Sequence, residues 1–442
     1  MSYRQFLANI FLYIPIILWA QNFSYTSDDW YILANPGSII AITEDSFYTY
    51  FATENGIYHY DKIEENFEYN YDLSKDLISK RIYHFYYDEN TDYFWIIHSD
   101  GISYKSSISS IWREVSLASY GIYGNSMNTN IGSSFSYIWI NYDDQFYPFD
   151  NLSGIAVTIK ESKEEVDYIK WGNSVYGRSS ENLELYPYFI GNSKIKNSNK
   201  LRKNINETFK VTVFMEDDHG NIWFGTNEGI LLKGWGRSYK LEKQNLGLPF
   251  NNVTLAYNKN GRWWFSDSRF KRKGQKIDSS IRRYEKKVPF ICQWFEAENS
   301  WQYYYEDESE YIKHSDVNSI IQVGSIVYFG TMYGVLYLDE FTREWGLIDG
   351  SQLYDNAVWD IVSYKNSLFV ATSNGINEIS IINNMVIPDN KGVFKVFRNT
   401  NVFDLELNVN YLYIASDLGL FQIDWEDKNI SVLSNKLIRR IH

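Results

Sequence analysis

Cysteine is almost absent from this chain of 442 residues, which contains only Cys292. A single cysteine excludes an intramolecular disulfide, so packing and hydrogen bonding must hold the fold even in an oxidising compartment. The residue directly after Ala20 is Gln21 and not cysteine, which excludes a lipid-modified N-terminal cysteine as an anchor. Long apolar runs are also absent after residue 20, whereas a membrane-spanning helix needs ~20 apolar residues. We therefore expect no stable membrane insertion of the mature chain.

Motifs that carry catalysis or cofactor binding are missing as well. The sequence has no Gly-x-Ser-x-Gly elbow, Walker loop or dinucleotide fingerprint. Asp143 and Asp144 form a carboxylate pair, but neighbouring side chains on a strand point to opposite faces. No metal-ligand spacing relates the six histidines, which are His59, His84, His98, His219, His314 and His442. We predict no catalytic, metal or cofactor-binding residues, no cofactor and a non-enzymatic role; ligand-binding residues remain unassigned.

Basic residues are the scarcer charged class. Lys plus Arg number 42 against 55 Asp plus Glu, for a net charge of -13. Phosphate backbones attract basic surfaces, so this balance argues against nucleic acid as a partner. Two local basic runs, at 194–203 and 269–276, are expected to be solvated loops.

The N-terminus has the pattern of an export signal. Arg4 supplies a positive start, an apolar run covers residues 6–19, and Ala20 precedes the expected cleavage site. An uncleaved anchor is the alternative, for which this run is shorter than the ~20 residues required. We expect residues 1–20 to be a signal peptide and residues 21–442 to form a periplasmic or extracellular domain.

One pattern fills most of the remaining chain. A strand, a small pair such as Gly-Thr, a tight turn and a second strand recur, with the turn residue at 56, 101, 145, 229, 334, 375 and 419 and a weaker copy at 260–270. Tyr, Phe, Ile, Val, Thr and Trp dominate the copies and favour strands over a helical repeat. Units of ~40 to 45 residues with four antiparallel strands are blades of a β-propeller.

We therefore predict an all-β fold, a single β-propeller of four-stranded antiparallel blades. Eight copies indicate eight blades, with seven or nine as alternatives. Residues 160–205 are either a degenerate blade or an inserted hairpin, and 271–280 an insertion. The first unit should contain the strands IIAITED, SFYTYFAT, GIYHYD and FEYNYD.

Two further predictions concern turns and ring closure. The dipeptides Asn55-Gly56 and Asn374-Gly375 are expected to fill two-residue hairpin turns with positive φ. The ring is expected to close in one of two ways. Either residues 30–33 pair beside the last unit, or residues 437–441 insert beside the first.

The string DDHGNIWFGTNEGI at residues 217–230 resembles the two-component-regulator type of propeller repeat, whose core pattern is Asp-x-x-Gly-x-hydrophobic-Trp-hydrophobic-Gly-Thr-x-x-Gly-hydrophobic. Looser copies occur at 328–338 and 369–379, and the resemblance covers most of the chain after about residue 38. In that family the repeats form sensory propellers of membrane-bound hybrid sensors, or stand alone in exported bacterial proteins. The resemblance implies a propeller. Because kinase and regulator regions are not found here, we expect the stand-alone form.

Acidic residues recur in the turn between the second and third strands, at Glu54, Asp100, Asp144, Glu228 and Asp417. In propellers this turn lies on the face where ligands commonly bind, so these carboxylates are candidates for attracting a cation or a basic partner. The competing explanation is that acidic residues and Asn before Gly make good turns.

Aromatic residues divide into two groups. Those inside the repeated strands are predicted to pack between blades; they are Trp95, Trp139, Trp223 and Trp264. Trp235 and Trp301 lie in less regular segments and are better candidates for stacking on a sugar ring.

The leading hypothesis is an exported binding or scaffold module that recognises a protein or glycan partner in the bacterial envelope or outside the cell. One alternative is a secreted hydrolase or lyase acting on polysaccharide, which requires two inward carboxylates within catalytic reach. The other is a detached sensory propeller of a two-component signalling system.

Overall fold

The computed structural model divides the chain into two compact units, Met1–Ala34 and Asn35–His442. It describes residues 31–77, 80–109, 111–115, 129–142, 145–158, 163–172, 189–190, 193–194, 200–204, 207–227, 229–235, 238–250, 252–267, 291–305, 309–312, 317–425, 427 and 429–441. The predicted signal peptide at 1–20, the insertion at 271–280, and Asp143, Asp144 and Glu228 lie outside the described residues.

The second unit consists of β-sheets, numbered here as blades in chain order. Blade 1 contains β1 (Ile39–Glu44), β2 (Tyr48–Thr53), β3 (Gly56–Asp61) and β4 (Phe67–Tyr69). Blade 2 contains β5 (Ile82–Asp88), β6 (Tyr93–His98), β7 (Gly101–Ser106) and β8 (Arg113–Val115). Blade 3 contains β9 (Thr129–Ser133), β10 (Tyr137–Tyr142), β11 (Gln145–Asp150) and β12 (Lys170–Trp171). Blade 4 contains β13 (Phe189–Ile190), β14 (Ser193–Lys194), β15 (Lys200–Asn204), β16 (Glu207–Glu216), β17 (Asn221–Thr226), β18 (Leu231–Trp235) and β19 (Ser238–Gln244).

The remaining four blades follow the same scheme. Blade 5 contains β20 (Leu255–Lys259), β21 (Arg262–Ser266), β22 (Ile291–Phe295) and β23 (Ser300–Tyr304). Blade 6 contains β24 (Val317–Val323), β25 (Ile326–Thr331), β26 (Gly334–Asp339) and β27 (Glu344–Ile348). Blade 7 contains β28 (Val358–Tyr364), β29 (Ser367–Thr372), β30 (Gly375–Ser380) and β31 (Met385–Ile387). Blade 8 contains β32 (Val402–Leu407), β33 (Tyr411–Ser416), β34 (Gly419–Asp424) and β35 (Ile430–Ser434).

Helical structure in the described residues is minor. It comprises one helical turn, α1 (Tyr71–Ser74), and two 3₁₀ turns at Lys163–Tyr168 and Lys395–Phe397. None of the helices in this part of the chain is long and apolar enough to cross a membrane.

Eight sheets confirm the predicted all-β propeller class and the count of eight blades. Six blades are simple meanders, such as β1-β2-β3-β4. Blade 3 has the order β11-β10-β9-β12, and blade 4 is enlarged to β14-β13-β19-β18-β17-β16-β15. Residues 160–205 were predicted to be a degenerate blade or an inserted hairpin. Their described strands join the sheets of blades 3 and 4, and none of the described residues there forms a separate sheet.

The core lies between the faces of neighbouring sheets. The first strands of neighbouring blades pack side by side. In one series β1 packs on β5 and β5 on β9, and in a second series β20 packs on β24, β24 on β28 and β28 on β32. The strand β1 also packs on β16 of blade 4. Small residues permit this approach. A Cβ added to Gly225 would lie 2.6 Å from Cγ2 of Ile39, and one added to Gly330 would lie 2.9 Å from Cγ1 of Val358.

Threonine after the small residue has a role that the sequence did not reveal. The Oγ1 of Thr331 donates a hydrogen bond to the carbonyl oxygen of Gly334 at 2.9 Å and accepts one from the backbone N–H of Tyr333 at 3.0 Å. Thr53 and Thr372 make the same pair of contacts in blades 1 and 7. The buried hydroxyl thus closes the turn between the second and third strands.

This closure shifts the turn by one residue from the prediction. Thr53 pairs with Gly56, so the two loop residues are Glu54 and Asn55, and Asn55-Gly56 was the wrong dipeptide. The same shift occurs at Gly375, which pairs with Thr372. In these two turns only the glycine has a positive φ, +144° at Gly56 and +133° at Gly375. The positive φ therefore falls on the residue that follows the two-residue loop, where the threonine hydroxyl caps the turn.

The strands of blade 1 otherwise match their predicted segments. The predicted fourth strand ends at Tyr69, because the Asn70 side chain accepts a hydrogen bond from the N–H of Leu73 at 2.9 Å and starts α1. Neither predicted closing strand is present in the described residues: 31–33 and 437–441 contain no strand. Instead, the N–H of Ile441 donates to Oδ2 of Asp404 in blade 8.

Candidate functional site

The most recognisable polar motif of the sequence serves the fold. Asp217 is 4% exposed, and its Oδ1 accepts hydrogen bonds from the backbone N–H groups of His219 and Asn221 at 3.1 and 2.7 Å. Its Oδ2 accepts from Nδ2 of Asn221 and from Nε1 of Trp223, both at 2.8 Å. The carboxylate therefore shapes the turn and fixes the buried indole.

Burial of the strand tryptophans confirms their predicted packing role. The side chains of Trp95, Trp139, Trp223 and Trp264 are 0% exposed. Trp223 contacts the rings of Phe51 and Tyr60 of blade 1, with both centroid distances at 5.1 Å. Trp264 contacts the ring of Phe329 in blade 6 at 5.4 Å, so Trp223 and Trp264 both fill interfaces between blades. None of the four indoles is accessible to a ligand.

The predicted acidic turns are exposed but separate. Glu54, Asp100 and Asp417 lie in the turns between second and third strands, as expected. Among the described residues no three Asp, Glu, His or Cys side chains gather in a way that could hold a metal ion. Glu54 instead binds its own chain, since its Oε2 accepts the N–H of Ser38 at 3.3 Å.

Two of the described histidines, the partly buried His59 and the buried His98, lie in surroundings that disfavour the charged imidazolium. Burial lowers the pKa of His59 to about 4 and also lowers the pKa of His98. Nε2 of His98 lies 2.8 Å from Oγ of Ser103, a local contact within its hairpin. His219 is exposed beside Asp218, with Nδ1 2.7 Å from Oδ1. His314 and His442 lie outside the described residues.

Carboxylates do occur on the first strands of blades 7 and 8, where the enzymatic alternative requires them. Asp360 lies on β28 and Asp404 at the equivalent position of β32. Ser319, at the same position of β24, donates from Oγ to Oδ1 of Asp360 at 2.7 Å. Burial, together with the charge of Asp404, raises the pKa of Asp360 to about 6.

Both oxygens of Asp360 are engaged in holding blades together. Oδ1 also accepts the N–H of Ile361 at 2.8 Å, and Oδ2 accepts the N–H of Leu405 in blade 8 at 2.9 Å. Ser319 continues the pattern, because its Oγ accepts the N–H of Ile361 at 3.2 Å. This arrangement is suited to binding backbone groups, and it leaves Asp360 poorly placed for acid or base chemistry.

The sequence analysis did not identify Ser319, Asp360 and Asp404 as a set, although they share a position in the repeat. Each of them stands two positions after the valine that opens its first strand, in Val317-x-Ser319, Val358-x-Asp360 and Val402-x-Asp404. The strand pairing is irregular between the valine and the polar residue in all three blades. Comparing copies at this bulge position would have identified them.

The aromatic candidates differ in accessibility. Trp235 is 65% exposed at the end of β18, where strand pairing with Asn221 and Ser238 fixes its backbone. The Nζ of Lys233 lies 6.0 Å from the Trp235 ring and 4.2 Å from that of Tyr60. Burial lowers the pKa of Lys233. Trp301 is only partly exposed and stacks on Trp294 at 6.0 Å. Trp235 is therefore the better placed of the two for contact with a ligand.

Comparison with protein families confirms the resemblance predicted from residues 217–230. The family described as "Two component regulator propeller" matches residues 206–228. No curated protein matches the chain.

Several solved structures are similar in fold. The extracellular domain of the putative one component system BT4673 from B. thetaiotaomicron is 11% identical, with a TM-score of 0.26; the match covers 90% of this chain and 66% of that one, so this chain spans less than two thirds of its length. YCF48 bound to D1 peptide is 10% identical, with a TM-score of 0.28 and coverage of 91% and 95%. PorZ of Porphyromonas gingivalis, a surface component of the type-IX secretion system, is 11% identical, with a TM-score of 0.25 and coverage of 92% and 60%.

Proposed function

We propose that this protein is an exported binding module that recognises a protein or glycan partner in the bacterial envelope or outside the cell. Export is supported by Arg4, the apolar run at 6–19 and Ala20. A binding role is supported by the distribution of polar groups in the blades. Asp217 and Asp360 are occupied by their own chain, and what remains accessible lies on the exposed turns and strand ends.

The observation that carries the proposal is the exposure of Trp235 on a fixed backbone. A large indole held by strand pairing loses little conformational freedom when it contacts a partner, which suits both sugar stacking and protein recognition. Trp235 lies beside Lys233, so the patch offers an aromatic face with a cation close to it. The strand tryptophans, by contrast, are wholly buried.

Retention of partners by the purified protein tests this function. We expect immobilised protein to retain a defined protein or glycan from an envelope extract, and Trp235→Ala to reduce that retention. Glu344→Gln, an exposed position on β27 of blade 6, is the control and should behave like wild type. Failure of the wild-type protein to retain any partner, combined with turnover of a polysaccharide substrate, would establish the hydrolase or lyase instead.

A detached sensory propeller is the second candidate, favoured by the family match at 206–228. This function requires a separate membrane-bound kinase as the partner. Activation of such a kinase by the added propeller, measured as autophosphorylation in membrane vesicles, would support it. A kinase whose activity is the same with and without the propeller would exclude it.

A further inference from the structure

The turns between third and fourth strands repeat one construction. In blade 1, Oδ1 of Asp61 accepts the N–H groups of Ile63 at 2.7 Å and Glu64 at 2.9 Å. The turn ends at Glu65, whose φ is 55° and whose N–H donates to the carbonyl oxygen of Asp61 at 2.9 Å. An aspartate thus fixes the turn, and the residue two positions after it is held at the apex.

Blade 3 repeats this geometry with different residues. Oδ1 of Asp150 accepts the N–H groups of Leu152 at 3.3 Å and Ser153 at 2.8 Å. Gly154 has a φ of 67°, and its N–H donates to the carbonyl oxygen of Asp150 at 2.9 Å. The apex position is therefore defined by the turn itself.

The side chains at these apices are large and apolar. Ile63 is 76% exposed, Ile108 at the corresponding position of blade 2 is 95% exposed, and Leu152 is 58% exposed. Turn chemistry favours Gly, Pro, Asn, Asp and Ser and requires no apolar residue at this point. Ile382 of blade 7 occupies the same position and is 80% exposed. On the consecutive blades 1 to 3, three such aliphatic side chains indicate contact with something outside the blade.

Two phenylalanines add to the same rim. In an antiparallel sheet, the turn between the first and second strands and the turn that follows the third strand lie at the same end of the sheet. Phe47 of blade 1 and Phe135 of blade 3 lie in those turns and are 59% and 69% exposed. Blades 1, 2 and 3 pack side by side through β1, β5 and β9, which places these turns at one end of three neighbouring blades. We name the group the apolar rim; it consists of Phe47, Ile63, Ile108, Phe135 and Leu152.

Exposed charge around the apolar side chains is mainly acidic, with Arg113, Lys163 and Lys170 as exposed basic residues nearby. Glu64, Glu65, Glu89 and Asp92 are all exposed in these turns. Lys62 contributes no accessible positive charge, because its side chain is 1% exposed and its Nζ is held between Glu44 Oε2 at 2.7 Å and Asp218 Oδ1 at 2.5 Å. Lys170, on the neighbouring strand β12, is paired with Glu89 at 2.8 Å.

The geometry points to the apolar rim as the docking surface for a protein partner that presents basic side chains between apolar patches. This inference rests on the proposed binding function and assigns its partner class. Apolar anchors surrounded by charge match the anatomy of protein interfaces, and the acidic residues select a basic partner. The same carboxylates would repel anionic lipid and a second copy of this acidic chain.

A defined peptide probe tests the assignment. An alternating Lys-Leu peptide and its Glu-Leu counterpart are titrated into the purified full chain by fluorescence anisotropy, at low and at high salt. We expect the Lys-Leu peptide to bind, the Glu-Leu peptide to bind at least ~tenfold more weakly, and salt to weaken Lys-Leu binding. The double variant Ile63→Ser/Ile108→Ser should weaken Lys-Leu binding by ~tenfold or more, since two large apolar contacts are lost.

Phe341 supplies the matched control. It is 88% exposed at the same apex position of blade 6, where Oδ1 of Asp339 accepts its N–H at 2.9 Å. Its neighbours differ, because Arg343 is exposed and Glu340 is paired with Arg262 at 2.9 Å. Phe341→Ser should leave peptide binding unchanged. A loss equal to that of the double variant would overturn the assignment to blades 1 to 3.

Further outcomes separate this inference from the proposed function. A partner retained equally by wild type and by Ile63→Ser/Ile108→Ser would leave the binding module standing and refute the apolar rim. Binding to phosphatidylcholine vesicles that the double variant abolishes would assign the rim to lipid. Self-association in sedimentation that the double variant abolishes would assign it to a second copy. Either result overturns the proposal, as does equal affinity for the two peptides.

Discussion

Oδ2 of Asp360 accepts the backbone N–H of Leu405 at 2.9 Å, so a side chain of blade 7 holds the first strand of blade 8. The same carboxylate receives the hydroxyl of Ser319 from blade 6 at 2.7 Å. One ionisable group thus connects three consecutive blades. Because burial raises its pKa to about 6, this connection depends on pH.

Asp360→Asn should remove a pH dependence of stability. The pKa of Asp360 is raised from its usual value of 3.8 to about 6 in the folded protein, so the folded state binds the proton more tightly than the unfolded chain. The stabilisation from this group is therefore fully present below ~4 and is lost as the pH rises through about 6. Urea-unfolding midpoints should show wild type losing stability relative to Asp360→Asn between pH 4 and pH ~7.

Asp417→Asn provides the control for this measurement, because Asp417 is an exposed carboxylate in a turn of blade 8. Both variants remove one negative charge, so the comparison isolates the effect of the buried position. A difference between Asp360→Asn and wild type that stays constant across this pH range would show that the Asp360 carboxylate titrates alike in the folded and unfolded chains.

Lys62→Met should destabilise the contact between blades 1 and 4. The Nζ of Lys62 is held between Glu44 and Asp218, and its removal leaves two carboxylates close together. Although burial acts in the opposite direction, the hydrogen bond from Lys62 lowers the pKa of Asp218 to about 2. Loss of a partner from a fully buried ion pair costs ~3 to 5 kcal/mol, and we expect about 1 to 3 kcal/mol because Asp218 is half exposed.

Denaturant unfolding measures this effect, and a double variant separates its causes. Lys62→Met/Asp218→Asn should recover part of the lost stability, because one of the two repelling charges is removed. If Lys62→Met/Asp218→Asn instead lowers the free energy of unfolding further, by as much as Lys62→Met alone, then lost packing of the lysine stem and not charge repulsion explains the effect.

The repeated strands could be predicted because their information is local. Alternating apolar residues and a recurrent Gly fixed β2 and β3 of blade 1 to within two residues of the observed bounds. Burial of Trp223 also followed from its place in a repeated strand. The fourth strand was predicted too long, because the capping side chain of Asn70 competes with strand continuation.

Contacts between distant residues could not be predicted in this way. Nothing in the sequence near Lys62 shows that Asp218, 156 positions away, will neutralise it. Likewise the apolar rim combines single residues from turns of three blades, each unremarkable by itself. Ser319, Asp360 and Asp404 became recognisable as a set only once the bulge position aligned the first strands.

Asp217→Ala should weaken blade 4. The change leaves the buried Nε1 of Trp223 and the N–H of Asn221 without their acceptor, and an unsatisfied buried donor costs ~1 to 3 kcal/mol. Asp217→Asn keeps one acceptor oxygen and should cost less. Urea unfolding followed by tryptophan fluorescence measures both variants. Equal stability of Asp217→Ala and wild type would contradict the structural role assigned to the motif.

Gly334→Ala should destabilise blade 6 more than an alanine at another glycine with positive φ. A Cβ at Gly334, where φ is 118°, would lie 2.2 Å from the carbonyl oxygen of Ile348, which is backbone and cannot rotate away. Gly324 has a φ of 61° and nothing within 4 Å of an added Cβ, so Gly324→Ala carries conformational strain alone. We expect ~1 kcal/mol for Gly324→Ala and a larger loss, about 2 to 4 kcal/mol, for Gly334→Ala. The urea-unfolding midpoints of Gly334→Ala and Gly324→Ala measure the two losses of stability. Equal losses would mean that the glycine is needed for its φ and not for the passage of the fourth strand beside it.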